Sequence, residues 1–303
     1  MSEARISMTP GRRHVLFGAL AVGLAAANAS LLLALFEYSR LNVSASHVVL
    51  IPFVTAALIY RERSRIFSSL RWGRNAGAFL IVAGLLAILT TGLSLPSGRA
   101  SPLTVSIGGL VLAWIGCFLL VYGPAASRAA LFPLLWLGFM IPLPAWLLDG
   151  TTSVLQKGSA EAVAGLFTLT GTLYHRDGFA FFLPGLAIEV AEECSGIRSS
   201  IALLLTGLLA GHLFLGSSWT KAILILAILP VTVIKNGIRI VGLSFLAMHV
   251  DSGFLAGQLH HEGGVVFFLM ALIFLTPVLV LLRRSERRPA PRARRQALPE
   301  ATA

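Results

Sequence analysis

The chain is built from long apolar segments separated by short polar ones. Eight apolar runs approach the length of about 20 residues that a helix needs to cross a hydrocarbon core of about 30 Å. The runs lie at roughly residues 14–36, 46–60, 76–95, 103–122, 129–148, 197–216, 221–248 and 264–282, and the second is the shortest. This pattern predicts an all-α integral membrane protein with about eight transmembrane helices.

Only one segment between the runs is long, at about residues 149–196. It begins with apolar residues at helical spacing between 154 and 166, which indicates a helix in or near the membrane interface. The stretch FAFFLPGLAIEV then places Pro184 and Gly185 between two β-prone segments and predicts a small β-hairpin. The hairpin would lead the chain to VAEECSGIRSS, residues 190–200, where polar groups are concentrated.

The composition agrees with a membrane protein and excludes an ordinary soluble domain. The chain is 56% hydrophobic and 12% charged, with a mean hydropathy of +0.83, whereas about a quarter of the residues in a soluble domain are charged. The net charge of +11 does not indicate nucleic-acid binding, because the arginines gather beside apolar runs rather than among aromatic residues on a polar face. They are interpreted as topology signals.

The positions of the arginines predict the orientation. Lysine and arginine near the ends of membrane helices favour the cytoplasmic side. Arginines cluster within residues 1–13, 61–74 and 283–295, and eight spans would place all three clusters on one face. The prediction is a multi-pass protein of the cytoplasmic (inner) membrane with both termini in the cytoplasm, and with the long loop and its active site on the outer face.

The polar stretch before the sixth run contains a candidate nucleophile. Cys194 stands where the next helix would begin, at about Ser195 or Gly196, and both a helix N-terminus and a nearby cation favour the thiolate. Arg198 lies one turn further along and could supply that cation. On this stretch alone the alternative is an inert cysteine at a helix start. The second cysteine, Cys117, lies inside an apolar run, so no redox pair or disulfide framework is predicted.

The seventh run, ILPVTVIKNGIRIVGLSFLAMH, carries Lys235, Asn236 and Arg239 within hydrophobic sequence. Charges at such depth are costly unless they face a polar cavity, so these residues are functional candidates. Arg239 lies about 15 Å from His249 at the outer end, hence in the outer half of the membrane. Lys235 is four residues before Arg239 and shares its face. The structural alternative, snorkelling or internal pairing, suits Lys235 better than Arg239.

A pair of histidines follows in GQLHHEGGVVFF, on the same predicted face as Cys194. A histidine can take and return a proton near neutral pH, although adjacent histidines at a membrane boundary are more often ordinary interfacial residues. HHE lacks the spacing of HExxH, so no metal site is predicted. A thiol, a guanidinium and an imidazole on one face are the components of a cysteine acyl-transfer site.

Five motifs between Leu131 and Phe268 carry a family resemblance. They are FPLLWLGFMIPLPAWLL, LQKGSAEAVAGLF, EVAEECSGIRSS, NGIR and HHEGGVVFF, in this order. With them the sequence resembles the exosortase and archaeosortase family of integral membrane cysteine transpeptidases. The resemblance implies cleavage, through a thioester, of C-terminal sorting signals of the PEP-CTERM type, followed by transfer to an acceptor, with no cofactor. The implied partners are exported proteins with a C-terminal motif, a transmembrane helix and a basic end, together with membrane lipid.

The resemblance also implies roles for individual residues. Cys194 matches the family's nucleophile, Arg239 matches the arginine of its NxxR motif, and His260 with Gly264 matches its histidine, three residues and glycine. Supporting or alternative residues are Arg198 in CSGIR, His261 beside His260, and Asn236 at the start of NxxR.

The expected organisation has three parts. Residues 1–130 form an N-terminal four-helix membrane region, residues 131–283 form the catalytic membrane core, and residues 284–303 form a basic cytoplasmic tail without fixed structure.

Three other functions stay open at this point. A polytopic transporter could use Lys235 and Arg239 for an anionic substrate, although this leaves the cysteine and the histidines unexplained. A thiol oxidoreductase would need a second cysteine near Cys194. A purely structural membrane subunit predicts that Cys194→Ala has no effect.

Overall fold

The computed structural model of the chain describes residues 9–92, 101–191, 196–250 and 264–287. The chain divides into two compact units, Met1–Gly150 and Thr151–Ala303. The first is called unit 1 and the second unit 2.

Unit 1 is helical in its described residues. Its helices are α1 (Pro10–Ala27), α2 (Ala29–Leu41), α3 (Ile51–Arg61), α4 (Arg63–Ile66), α5 (Arg74–Gly92), α6 (Pro102–Ala129) and α7 (Leu131–Trp136), with 3₁₀ turns at Val43–Ala45, Val48–Leu50 and Leu137–Met140. Helices α5 and α6 form its most extensive contact. Glycines permit this approach, because a Cβ at Gly109 would lie 2.5 Å from the carbonyl oxygen of Gly84.

Helix α6 is bent near its end. Gly123 has φ +86°, outside the helical region, and Pro124 follows it. A proline cannot donate the backbone hydrogen bond that would continue the helix, so this pair produces a kink. The predicted run 103–122 ends at this kink.

The predicted count of eight transmembrane helices is not confirmed. Among the described residues, five helices are long and apolar enough to cross a membrane, and up to seven are if each of two bent pairs counts as one span. The five are Arg74–Thr91, Pro102–Ala129, Ile197–Phe214, Ser218–His249 and Val266–Arg287, and the bent pairs are Pro10–Ala27 with Ala29–Leu41 (72°) and Leu131–Met140 with Ala145–Leu169 (91°).

The differences from the predicted eight transmembrane helices have local causes. The first run breaks at Asn28, whose side-chain amide donates to the carbonyl of Leu24 at 2.9 Å and ends α1. The fifth run contains Pro142 and Pro144, which interrupt backbone hydrogen bonding between the two halves of that pair. The second run forms only the shorter apolar helix Val48–Arg61.

Unit 2 combines helices with a small antiparallel sheet. Its helices are most of α8 (Ala145–Leu169), α9 (Ile197–Phe214), α10 (Ser218–His249) and α11 (Gly264–Arg287), and its strands are β1 (His175–Asp177), β2 (Ala180–Leu183) and β3 (Leu186–Glu189). The strand order is β1-β2-β3. Strands β2 and β3 pair around Pro184 and Gly185, with Leu183 opposite Leu186. Residues 154–166, predicted as an interfacial helix, lie within α8.

The sheet packs on helices through a compact apolar cluster. The ring of Phe167 on α8 lies 6.0 Å from that of Phe181 on β2 and 6.1 Å from that of Phe245 on α10. Val190, just after β3, is fully buried in the same cluster. This packing fixes the chain that leaves the sheet against α8 and α10.

Helices α9, α10 and α11 pack together around a second apolar cluster, which includes Leu203, Leu224 and Leu275. At one end of this group Glu286 of α11 accepts hydrogen bonds from the backbone N–H groups of Gly216 (2.9 Å) and Ser217 (2.8 Å), at the start of α10. A carboxylate at a helix N-terminus satisfies donors that have no partner within the helix.

Candidate active site

The structure describes four of the predicted site residues and not the other three. The residues outside the described part are Cys194, His260 and His261. The residues within it are Arg198, Asn236 and Arg239 of the predicted site, and Lys235 of the transporter alternative. The segments next to the three undescribed residues carry the geometry given below.

The chain before Cys194 is held by α8. The side-chain amide of Gln156 donates to the carbonyl oxygen of Val190 at 2.7 Å, and the N–H of Val190 donates to the carbonyl of Phe179 at 3.0 Å. Gln156 and Val190 are both buried. These contacts fix the backbone four residues before Cys194.

The chain after Cys194 is pressed against α10. Gly196, the N-cap of α9, has φ +75° and ψ 19°, a left-handed conformation that favours glycine. A Cβ at this position would lie 3.1 Å from the amide oxygen of Asn236 and 3.3 Å from the Nζ of Lys235. Both the backbone conformation and the close approach therefore favour glycine in the CSG motif. The observed start of α9 at Ile197 agrees with the start predicted at residue 195 or 196.

Lys235 is buried beside this turn. Its side chain is only 1% exposed, and its Nζ donates to the Oγ of Ser199 at 2.5 Å. Among the described residues no carboxylate forms an ion pair with it. A buried cation is costly in free energy unless hydrogen bonds and partners compensate for the lost hydration. Lys235 therefore does not snorkel to the membrane surface; it holds the first turn of α9.

Asn236 joins α10 to α8. Its amide Nδ2 donates to the Oγ of Ser159 at 2.9 Å, and both residues are fully buried. Because Asn236 also contacts Gly196, one side chain connects α8, α10 and the start of α9. The asparagine of NGIR therefore holds α10 against α8 on one side and against the start of α9 on the other.

Truncation of this contact should lower stability. We expect Ser159→Ala to reduce the free energy of unfolding by about 1 kcal/mol and Asn236→Ala to reduce it by more, because Asn236 makes further contacts. The double variant should lose less than the sum of the two single losses, since both remove the same hydrogen bond. Thermal unfolding in detergent measures these losses, and additive losses would argue against the contact.

Arg239 lies one turn after Lys235 and contacts α11. Its guanidinium carbon lies 5.5 Å from the ring centroid of Phe267 on α11 and makes a cation–π contact. Helix α11 begins at Gly264, three and four residues after the two histidines. Arg198 lies exposed in the first turn of α9.

Three motifs that are far apart in the sequence are therefore brought together at α10. NGIR lies on α10 itself, and described residues of the CSGIR and HHEGGVVFF motifs pack against it. The chain on the C-terminal side of Cys194 packs on Lys235 and Asn236, and the helix that follows the histidines packs on Arg239. Sequence reasoning did not identify Gln156, Ser159 or Ser199 as part of this arrangement. The only signal for them was that polar residues occur in LQKGS and GIRSS, next to residues that were selected.

The motif order and this arrangement agree with a comparison against protein families. Residues 40–276, most of the chain, match the family model for the transmembrane exosortase. The chain belongs to the transmembrane exosortase family. No curated protein and no solved structure matches it. Exosortases are sorting transpeptidases that act on exported proteins with C-terminal sorting signals, and the match includes every motif from Leu131 to Phe268.

Proposed function

We propose that this exosortase is a membrane-embedded cysteine transpeptidase that cleaves C-terminal sorting signals on the outer face of the cytoplasmic membrane and transfers the exported protein to an acceptor. The observation that carries the proposal is the contact of Gly196 with Lys235 and Asn236 on α10, one turn from Arg239. This contact supports a site in which Cys194, two residues before Gly196, is close to the arginine of NxxR. The proposed catalytic core is residues 131–283.

In the proposed reaction the thiolate of Cys194 attacks the carbonyl carbon of the scissile peptide bond. The tetrahedral intermediate carries negative charge on its oxygen, which Arg239 stabilises. The C–N bond then breaks, a thioester forms, and His260 donates a proton to the leaving amine. His260 next takes a proton from the acceptor nucleophile, which attacks the thioester and expels the thiolate of Cys194. This restores the thiolate and the protonated His260 with which the reaction began. His261 is the alternative for this role, and single alanine variants of the two histidines decide between them.

The proposed roles of Lys235 and Asn236 are to position the nucleophile. Lys235 bonds Ser199 in the first turn of α9, and Asn236 contacts Gly196 and bonds Ser159. A nucleophile at the start of a helix is useful only if that turn is fixed relative to the other catalytic groups, because small displacements cost large factors in rate. Arg198 is the proposed second cation near the thiolate.

The family match favours this function over a transporter. Lys235 is almost completely buried and bonded to Ser199, which supports a positioning role rather than a place in an open anion path. A transporter also has no need of Cys194, so the cysteine variant argued below separates the two functions.

The proposed orientation has both termini in the cytoplasm and the site on the outer face. It requires an even number of crossings, which supports a membrane-crossing role for the short helix Val48–Arg61 if both bent pairs also cross. Reporter fusions at residues 68 and 290 should both report the cytoplasm, because arginine-rich segments stay on that side. An external signal at either position contradicts this orientation.

The experiment that tests the function uses an anchored substrate. An exported reporter carrying a Pro-Glu-Pro type motif, a transmembrane helix and a basic end is expressed with the protein in cells that lack an exosortase. We expect processing of this reporter, and loss of processing when its helix is deleted with the motif kept, because the membrane anchor raises the effective concentration of the scissile bond. Immunoblotting of the shortened reporter measures both.

The matched control replaces the reporter's helix with a different apolar sequence of equal length and keeps the basic end. Processing should persist, because the helix acts as an anchor and the basic end fixes its orientation. Equal cleavage of the anchored reporter and of a freely soluble periplasmic carrier with the same motif argues against membrane delivery. No cleavage of any reporter type argues against the proposed reaction.

A further inference from the structure

Unit 1 contains a cavity that the proposed reaction does not use. Its volume is about 830 Å³, within the range of about 300–1,000 Å³ that is typical of sites for small molecules. It lies among α1, α2, α3, α4, α6 and the turn Leu137–Met140, and its lining is mostly aliphatic and aromatic. The cavity therefore offers a long apolar surface that is separate from the residues assigned to catalysis.

Four of the polar lining residues lie at one end of the cavity. His14, Tyr60, Arg63 and Ser64 line this end, where the rings of His14 and Phe67 are 4.8 Å apart. This contact shows that the start of α1 meets the end of the α3–α4 segment. The remainder of the lining, toward the other ends of α1 and α3, is apolar except for Thr55, whose hydroxyl donates to the carbonyl oxygen of Ile51. It includes Leu24, Ala25, Pro52, Leu137 and Met140.

The length of the cavity fits one leaflet of a bilayer. At a rise of about 1.5 Å per residue, His14 and Ala25 are about 16 Å apart along α1, and Pro52 and Tyr60 are about 12 Å apart along α3. Half of a hydrocarbon core is about 15 Å. A single acyl chain that entered between these helices would therefore stay in contact with apolar lining over the depth of its own leaflet.

The charge at the polar end is positive. Among the described residues that line the cavity, Arg63 is the one permanent cation, and none is a carboxylate. The guanidinium of Arg63 lies over the ring of Tyr60 at 4.2 Å and donates one hydrogen bond to the carbonyl of Tyr60. A guanidinium has five N–H donors and binds phosphate well, so this bond leaves capacity for a ligand.

We propose that this cavity binds a phospholipid with an anionic headgroup, its phosphate at Arg63 and one acyl chain along α1 and α3. Basic pockets at the cytoplasmic ends of membrane helices favour anionic lipids, and Arg63 belongs to the arginine cluster that predicts the cytoplasmic side. A small soluble anion would leave the apolar length of the cavity unfilled. The proposal is independent of the transpeptidase reaction.

Native mass spectrometry of the full chain in detergent tests the proposal with two lipids of identical acyl chains, phosphatidylglycerol and phosphatidylcholine. Both lipids carry a phosphate, but the choline cation makes the headgroup of phosphatidylcholine neutral overall. We therefore expect phosphatidylglycerol to bind about fivefold more tightly, and Arg63→Gln to reduce that preference by about fivefold, the effect of one cation near the headgroup. The matched control is Arg61→Gln, which removes the same charge at the end of α3 but does not line the cavity. It should change the preference by less than about twofold.

A second pair of variants tests the acyl-chain site. Ala56→Trp fills the cavity and should reduce binding of both lipids at least about tenfold, whereas Ala57→Trp, on the next residue and outside the lining, should not. Thermal unfolding without added lipid checks that each variant is folded. If Ala56→Trp does not fold, the comparison of Arg63→Gln with Arg61→Gln still tests whether the cavity binds an anionic lipid. Equal binding of the two lipids by the wild type, or equal effects of Arg63→Gln and Arg61→Gln, overturns the proposal.

Discussion

Replacing Cys194 by serine is expected to abolish processing of the anchored reporter while the protein still accumulates in the membrane. A serine hydroxyl is a much poorer nucleophile than a thiolate near neutral pH, and the proposed reaction passes through a covalent intermediate. Loss of a catalytic nucleophile lowers turnover by about 10³-fold or more. The measurement is the fraction of shortened reporter, normalised to the amount of membrane-inserted protein.

Cys117 provides the matched control for this variant. It is the other cysteine of the chain and lies buried in α6 of unit 1. Cys117→Ala should process the reporter at close to the normal rate and leaves Cys194 as the only thiol. A membrane-impermeant thiol reagent should then inactivate it from the outer face. Substantial processing by Cys194→Ser rules out the covalent role of Cys194.

The sequence could predict local features of unit 2 where strong local signals determine them. FAFFLPGLAIEV contains two β-prone stretches around Pro184 and Gly185, and strands β2 and β3 pair around these two residues. Strand β1, of sequence HRD, was not predicted, because three polar residues carry no alternating pattern and the strand depends on pairing with β2. Propensity therefore identified the segment but not the full sheet.

The number of membrane crossings was the least predictable feature of the fold. Apolar composition alone does not distinguish a straight span from a bent pair, so the runs around Asn28 and around Pro142 and Pro144 were each predicted as one crossing. The signals for the breaks were present as an asparagine and two prolines, but such residues also occur in continuous membrane helices. The angles of 72° and 91° depend on packing that the sequence pattern does not encode.

The candidate site was predictable by residue type but not by partner. Lys235 and Asn236 were selected because polar groups are rare at such depth. Their partners Ser199 and Ser159 are 36 and 77 residues away in the sequence, and nothing local identifies one serine among many as the partner. Of the two structural alternatives for Lys235, snorkelling or internal pairing, the structure shows internal pairing, because the buried hydroxyl of Ser199 replaces water as its acceptor.

Arg239→Lys is expected to lower processing by about 10²-fold although the charge is kept. A guanidinium presents several N–H donors in one plane, whereas an ammonium is a compact point charge on a flexible stem. An oxyanion that forms during acyl transfer is stabilised by donors already held in the correct geometry, and loss of one such donor costs on the order of 10²-fold or more. The contact with Phe267 at 5.5 Å holds the guanidinium toward α11, and lysine lacks the planar group for this stacking.

A second arginine, Arg283, provides the matched control for Arg239→Lys. Arg283 lies 5.6 Å over the ring of Phe214, so Arg283→Lys changes a similar cation–π contact away from the candidate site. It should leave processing nearly unchanged.

Phe267→Leu removes the ring but keeps the guanidinium, and it should reduce processing only severalfold, because the ring orients Arg239 and does not contact the reacting atoms. Near-normal processing by Arg239→Lys would limit Arg239 to a general electrostatic role. A loss in Phe267→Leu as large as that in Arg239→Lys would instead assign the effect to the contact with α11.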